Sequence, residues 1–268
     1  MLDLIYPPGL YCISCGKITD SSRTYRLCND CMQAMNWNTG RACSRCGRPL
    51  SENDPGEMCF SCAHKESSEQ TSWFDRGYAC TSYGAAEQSV IFTLKYGGRS
   101  DIGETLGEIM YEYMQALYPQ RQLCGMYDMV VPVPVHKERK SRRGFNHAEV
   151  MAQSFAKRAG IRCESNALIR TRPTQPMKGL RPSERKANIA GVFEIRPYKL
   201  KDLTGARVLL IDDIFTTGAT IDEAARILKC PQPAGDPFTG TREGYEVSSG
   251  ASRVDFIAFA AAGDMINA

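Results

Sequence analysis

The sequence predicts an α/β protein, a mostly parallel sheet covered by helices on both faces, preceded by a small cysteine-rich module. Three observations predict it. Eight of the twelve cysteines fall within the first 62 residues. Beyond residue 73, apolar runs of strand length alternate with helix-period segments, the pattern of a sheet whose crossovers are helices. The stretch 208–220 passes from an apolar run through two carboxylates and a Thr/Gly-rich turn into a helix.

The eight cysteines form four Cys-x-x-Cys pairs, Cys12/Cys15, Cys28/Cys31, Cys43/Cys46 and Cys59/Cys62, and the last two pairs repeat the first two at a constant offset of 31 residues. Each copy reads C-x2-C-x12-C-x2-C. Gly16 or Gly47 follows its first pair, where a small residue lets backbone amides turn toward a metal-bound sulfur. Soft thiolates in paired knuckles suit tetrahedral zinc, and a segment this poor in core residues needs such a ligand to hold a fold. Disulfides would require an oxidising compartment, and nothing in the sequence signals export. A redox Cys-x-x-Cys is expected singly beside a βαβ unit, not four times in register. Two structural zinc sites are therefore expected. Sequential sites (12/15/28/31 and 43/46/59/62) compete with an interleaved cross-brace; the sequential arrangement is preferred because the repeat unit then coincides with one metal site. Cys80, Cys124, Cys163 and Cys230 show no ligand spacing and read as ordinary small residues.

A polar stretch at 67–72 reads as a linker and divides the chain into 1–66 and 67–268. Helix-period apolar positions occupy 85–95 and 102–117, and 129–135 is β-branched and strand-like. Segment 147–159 sets Ala148, Met151, Ala152, Phe155 and Ala159 on one helical face and stops at Gly160. Residues 207–211 form a strand, 221–229 a helix and 254–260 a last strand. Between the last two, 230–252 is a polar insertion rich in Pro and Gly.

With 268 residues, 43% hydrophobic and 24% charged, the composition excludes a disordered or fibrous chain. No apolar run approaches the ~18 residues of a membrane span, and residues 1–10 lack the basic and long apolar regions of a signal peptide. A cytoplasmic protein with no membrane insertion is expected. The formal charge of +3 names no partner by itself, but its distribution is uneven. Residues 136–188 hold fourteen Lys and Arg against four Glu, a net of +10, while the remainder of the chain is net negative.

The richest segment is Val208-Leu209-Leu210-Ile211-Asp212-Asp213-Ile214-Phe215-Thr216-Thr217-Gly218-Ala219-Thr220. Two carboxylates at the end of a buried strand suit hydrogen bonds to a vicinal diol such as a ribose 2′,3′ pair. The Thr/Gly loop after them can wrap a phosphate with N–H groups and hydroxyls at the positive end of the next helix. Thr220 and Glu223 have capping-box spacing. The bland alternative is a solvated acidic turn, which the order strand, Asp-Asp, Thr-Thr-Gly-x-Thr, helix makes the weaker reading.

Val131-Pro132-Val133-Pro134-Val135-His136 runs into a basic stretch beginning at Lys137. Alone, Lys137 to Arg143 would be a solvated turn. After a strand, in a domain that already has a phosphate loop, Val135, His136, Lys137 and Arg139 read better as a pyrophosphate loop. His136 is the weaker member, since a lone His is more often structural than catalytic.

The thirteen residues 208–220 resemble the phosphoribosyl pyrophosphate (PRPP) motif of type I phosphoribosyltransferases. The wider chain resembles the ComF family of competence-associated phosphoribosyltransferase-like proteins. That likeness rests on Tyr6-Pro7-Pro8 before the ribbons, Leu94-Lys95-Tyr96 with its following glycines, Arg142-Arg143-Gly144-Phe145-Asn146-His147, and Thr174-Gln175…Leu180…Arg185…Asn188…Gly191-Val192-Phe193. Two departures are His147, where a Gln is usual, and the length of the 230–252 insertion. The resemblance implies a type I phosphoribosyltransferase fold behind an N-terminal four-cysteine double zinc-ribbon module. It implies that Asp212 and Asp213 hold the ribose, and that Ile214, Phe215, Thr216, Thr217, Gly218, Ala219 and Thr220 form the 5′-phosphate loop. Mg2+ would enter with PRPP, and pyrophosphate would be displaced from ribose C1. A mobile hood over 170–188 would carry Arg172, Gln175, Lys178 and Arg185. No catalytic residue and no acceptor are assignable. The resemblance also implies a link to natural transformation, with single-stranded DNA or a DNA-uptake helicase or channel component as partner, either beside turnover or in a non-catalytic PRPP sensor. The ribbons themselves offer little to DNA: residues 1–62 carry six basic and six acidic side chains, and Trp37 and Phe60 are among few aromatics there.

Overall fold

The computed structural model describes residues 10–19, 24–54, 56–68, 72–138, 141, 144–174, 182–231 and 249–264. Its strands are β1 (Gly77–Ser82), β2 (Met129–Pro132), β3 (Arg162–Cys163), β4 (Leu168–Arg170), β5 (Phe193–Ile195), β6 (Arg207–Phe215) and β7 (Arg253–Ala261). Its helices are α1 (Asn29–Ala34), α2 (Phe60–Ser67), α3 (Ala85–Tyr96), α4 (Ser100–Leu117), α5 (His147–Ala159), α6 (Pro182–Ile189), α7 (Leu200–Leu203) and α8 (Ala219–Lys229). No described helix is long and apolar enough to cross a membrane.

Five strands form one sheet in the order β1-β7-β6-β2-β3, every pairing parallel, and β4 and β5 form a separate antiparallel pair. The strand period of two sorts β6 onto two cores. Val208 and Leu210 face a cluster with Ile221, Ala224 and Leu228 of α8, while Leu209 and Ile211 face one built by α3, α4 and α5. This is the two-sided α/β architecture expected from the sequence.

Several elements differ from the sequence reading. Strand β1 carried no strong signal and is the edge beside β7, so the last strand lies inside the sheet. Strand β2 stops at Pro132, because Pro132 and Pro134 have no N–H to continue a ladder. Strand β6 runs four residues beyond Ile211, through both aspartates. Residues 232–248 of the expected insertion and Tyr6-Pro7-Pro8 lie outside the described residues.

The ribbons are built into this domain. The first packs Cys12, Ile13 and Leu27 into the α3–α4–α5 core; the second packs Cys43, Cys46, Cys59 and Cys62 into the α8 core. They therefore straddle the sheet. The chain between them runs along the β1 edge, where Ser82 donates its N–H to Asn36 O (2.8 Å), Asn38 to Cys80 O (2.8 Å) and Gly77 to Arg45 O (2.8 Å). An otherwise open sheet edge is thereby covered.

Gly16 and Gly47 occupy matching positions at φ +73° and +71°, as the knuckle requires. A Cβ on Gly47 would lie 2.3 Å from Gly77 O, whereas one on Gly16 meets nothing within 4 Å. Gly47→Ala is expected to destabilise the protein by more than about 3 kcal/mol and Gly16→Ala by about 1–2 kcal/mol, the left-handed strain alone. Urea titration of both variants checks this, and equal losses would contradict it.

Candidate functional site

The cysteines group sequentially. Cys12, Cys15, Cys28 and Cys31 form one cluster and Cys43, Cys46, Cys59 and Cys62 the other, with all sulfurs of a cluster within 4.8 Å of one another. The Sγ separations of 3.7 Å for Cys15–Cys28 and 3.8 Å for Cys46–Cys59 match the edge of a sulfur tetrahedron around zinc, about 3.8 Å for bonds of about 2.3 Å. Cys28 and Cys59 are the N-cap residues of α1 and α2, so the second pair of each cluster is set at the start of a helix. The donors therefore fit two zinc ions. The environments differ: all four cysteines of the second cluster are buried, while Cys15 of the first is exposed. Trp37 donates its indole N–H to Met32 O at 3.0 Å and pairs with Thr81, so it packs on the first knuckle. Cys80, Cys124, Cys163 and Cys230 join neither cluster.

The second site follows from topology. From β2 the chain moves outward to β3, and from β6 it moves the other way to β7, so strand order reverses between β2 and β6. Open α/β sheets bind ligands at this switch point, beyond the carboxyl ends of the strands. Pairing of β2 with β6 ends at Pro132↔Ile211, whereas β6 stays paired with β7 to Phe215↔Ala261. Residues 212–215 thus have one open flank. Beside it lies a cleft of about 230 Å³ lined by Val133, Pro134, Val135, Asp212, Asp213, Ile214, Thr216 and Thr220, and also by Lys95, Asn146, His147, Ala148, Arg170 and Thr174.

The aspartates are electrostatically unequal. Lys95, near the end of α3, makes an ion pair with Asp213. Burial works against the Asp213 charge, but the Lys95 ammonium outweighs it and holds the carboxyl below its ordinary value. Burial, reinforced by the neighbouring Asp213 charge, pushes Asp212 up to about 8. Its Oδ1 accepts the Asp213 N–H at 2.9 Å. The cleft near neutral pH therefore holds one proton and one charge on its two carboxyls, the arrangement of a coupled pair.

The loop after β6 rests on an aromatic base. The Phe215 ring stacks on Phe256 (centroids 4.7 Å, interplanar angle 25°) and meets Phe74 edge-on at 6.2 Å. Phe215 is therefore an anchor beneath the loop. Gly218 takes φ +81° at the N-cap of α8, where a Cβ would sit 3.0 Å from that ring. No side chain caps this helix, so the expected Thr220–Glu223 capping box is absent. Glu223 turns instead to the Gly191 N–H (2.7 Å) and to Arg226 (2.8 Å), tying α8 to the turn before β5.

Of the expected pyrophosphate loop, Val135 lines the cleft. His136 is 4% exposed and accepts the Glu138 N–H at Nδ1 (3.4 Å), Lys137 is exposed, and neither lines the cleft; Arg139 lies outside the described residues. Of the expected hood, Arg172 is exposed and donates to Ala190 O at 2.8 Å. Gln175, Lys178 and the Arg185 side chain lie outside the described residues. The β4–β5 pair brackets this segment and brings Arg170 and Thr174 to the cleft. Sequence reasoning assigned no site role to Lys95, Asn146 or His147, and placed Arg170 and Thr174 only within the expected hood segment 170–188. The one available signal was that Lys95, Asn146, His147 and Thr174 fall in the family-like stretches.

Residues 1–63 match the family model of the double zinc ribbon domain. The chain is similar to the DNA utilization protein YhgH of Salmonella typhimurium, at 27% identity over 204 residues covering 75% of this chain and 83% of that one. It is similar to the competence protein ComFC of Bacillus subtilis, at 26% identity covering 82% and 88%. Among solved structures it is similar to adenine phosphoribosyltransferase from Leishmania tarentolae, at 17% identity and a TM-score of 0.30 over 60% of this chain and 76% of that one. With its two four-cysteine clusters the chain carries a double zinc ribbon that continues into a five-stranded parallel sheet, and over three quarters or more of its length it is similar to proteins named for DNA utilization and competence.

Proposed function

We propose that this chain is a PRPP-binding phosphoribosyltransferase of the ComF type, with residues 1–66 as the ribbon part and 67–268 as the transferase-like part. The observation that carries the reading is the switch-point cleft, which sets Asp212 and Asp213 on an open strand flank directly before a glycine-hinged helix N-terminus. Asp212 and Asp213 would take the ribose hydroxyls, and the N–H groups and hydroxyls of 214–220 the 5′-phosphate. Val135, which lines the cleft, would face the diphosphate, whose departure from C1 requires charge neutralisation and exclusion of water. Mg2+ entering with PRPP beside Asp212 and Asp213 would supply neutralisation of the departing diphosphate charge. The relatives' names connect them with DNA utilization and competence, which supports a role for this chain in handling incoming DNA, with single-stranded DNA or an uptake component as partner.

PRPP with Mg2+ at about 100 times its Kd is expected to stabilise the protein by about 2.7 kcal/mol, a rise in melting temperature of about 5 °C or more. Asp212→Asn with Asp213→Asn is expected to abolish the rise. An unchanged melting curve across a PRPP titration would sink the reading. Pyrophosphate release then separates a transferase from a PRPP sensor.

A further inference from the structure

The second ribbon sends one side chain into the candidate phosphate loop. Arg48 follows the knuckle glycine Gly47, and its own carbonyl accepts the Cys43 N–H at 2.8 Å, so the metal-binding turn fixes its backbone. Its side chain is 5% exposed and forms an ion pair with Asp264 at 3.6 Å. Asp264 in turn accepts the Ser61 N–H at 2.8 Å, in the first turn of α2 beside Cys59. From this frame the guanidinium lies over the Phe215 ring, 5.4 Å from its centroid, and Nη2 donates to Thr216 O at 2.9 Å. Two successive residues of the loop, 168 positions away in sequence, are gripped by one buried arginine.

That grip has a directional consequence. A trans peptide is planar and its C=O and N–H point opposite ways. With Thr216 O drawn toward Arg48, the Thr217 N–H must point away from the ribbon, and the hydrogen bond on the carbonyl polarises that N–H further. A phosphate loop works by aiming such groups in advance. A lysine could not replace this arginine fully, since one ammonium lacks the planar fork that spans a carbonyl, a carboxylate and a ring face.

We propose that Arg48 is a positioning residue for phosphate binding, so that the second zinc ribbon is a structural part of the ligand site. The inference rests on the phosphate reading of 214–220 given above. The test uses the full-length chain with two zinc ions per molecule verified, and titrates ribose 5-phosphate and, separately, pyrophosphate with Mg2+ by calorimetry. Arg48→Gln is expected to weaken ribose 5-phosphate binding about tenfold or more, the effect of losing a hydrogen bond from a charged donor, while pyrophosphate affinity stays within about twofold. Arg48→Lys is expected to fall between wild type and Arg48→Gln. Should Arg48→Gln fail to fold, Asp264→Asn loosens the same guanidinium from outside the loop and is expected to weaken ribose 5-phosphate severalfold. A wild-type chain that binds ribose 5-phosphate, with variants that bind it equally well or lose both ligands in parallel, overturns the proposal alone. A wild-type chain that does not bind ribose 5-phosphate overturns the phosphate reading of the loop, and this proposal with it.

Discussion

Replacing Cys46 by Ser is expected to unfold the protein at ambient temperature, while replacing Cys15 by Ser is expected to leave the parallel sheet folded with one zinc ion fewer. Both changes remove one ligand from a four-sulfur site, so the difference comes from what surrounds it. Cys46 and Cys59 are fully buried beside Phe74, Phe215 and Phe256, in the core that also holds α8. Loss of the metal there leaves buried thiols with no compensating cation and frees Arg48 and Asp264 from their frame. A structural zinc contributes on the order of 10 kcal/mol, comparable with the whole stability of a domain. The Cys15 site is partly solvated, and its packing against the sheet passes through Ile13, Leu27 and Met35, which can persist after metal loss. Its loss is expected to cost a few kcal/mol. Thermal melts with zinc determined by a chromogenic chelator decide the matter. A Cys15→Ser protein as unfolded as Cys46→Ser would show that the two sites are equivalent.

The offset of 31 residues carried the zinc pairing because both ligands and spacer are local, and local spacing is what sequence expresses best. The stretch 208–220 was legible for the same reason: strand, turn and helix follow one another without a break. The residues that tune the site were not. Lys95 meets Asp213 and Arg48 meets Thr216 only because the sheet brings distant segments together. Neither has a spacing that announces it. The capping-box reading failed on competition: Gly218 ends the strand turn in a left-handed conformation, and Glu223 has a better partner in the Gly191 N–H. The ribbons read as a module because their ligand spacing is self-contained, yet their apolar residues complete both cores of the sheet.

Asp212→Asn is expected to stabilise the ligand-free protein relative to wild type, and to do so by more at pH 8.5 than at pH 5.5. Burial first, and the Asp213 charge second, raise the Asp212 carboxyl to about 8. Between the unfolded value near 4 and that folded value, the native state binds more protons than the unfolded chain, so stability falls as pH rises. The contribution is complete below about pH 4 and lost by about pH 8. Asp213 has the opposite sign, since Lys95 depresses it; its contribution holds above the unfolded carboxylate range and is lost only as pH falls below it. The two windows do not overlap, so the interval from 5.5 to 8.5 reports Asp212. An amide cannot ionise and removes that slope. The expected difference between variant and wild type is on the order of 1–2 kcal/mol, the partial exposure of the side chain reducing the full linkage value. Urea titrations of both proteins at the two pH values measure it, and parallel behaviour would refute the raised carboxyl. The same proton links stability to function. A diol or a cation at the cleft needs Asp212 ionised, so binding near pH 7 should release close to one proton, visible as a dependence of the calorimetric heat on buffer ionisation enthalpy. The empty site is then held in its protonated, less repulsive form, and the ligand is what stabilises the charged one.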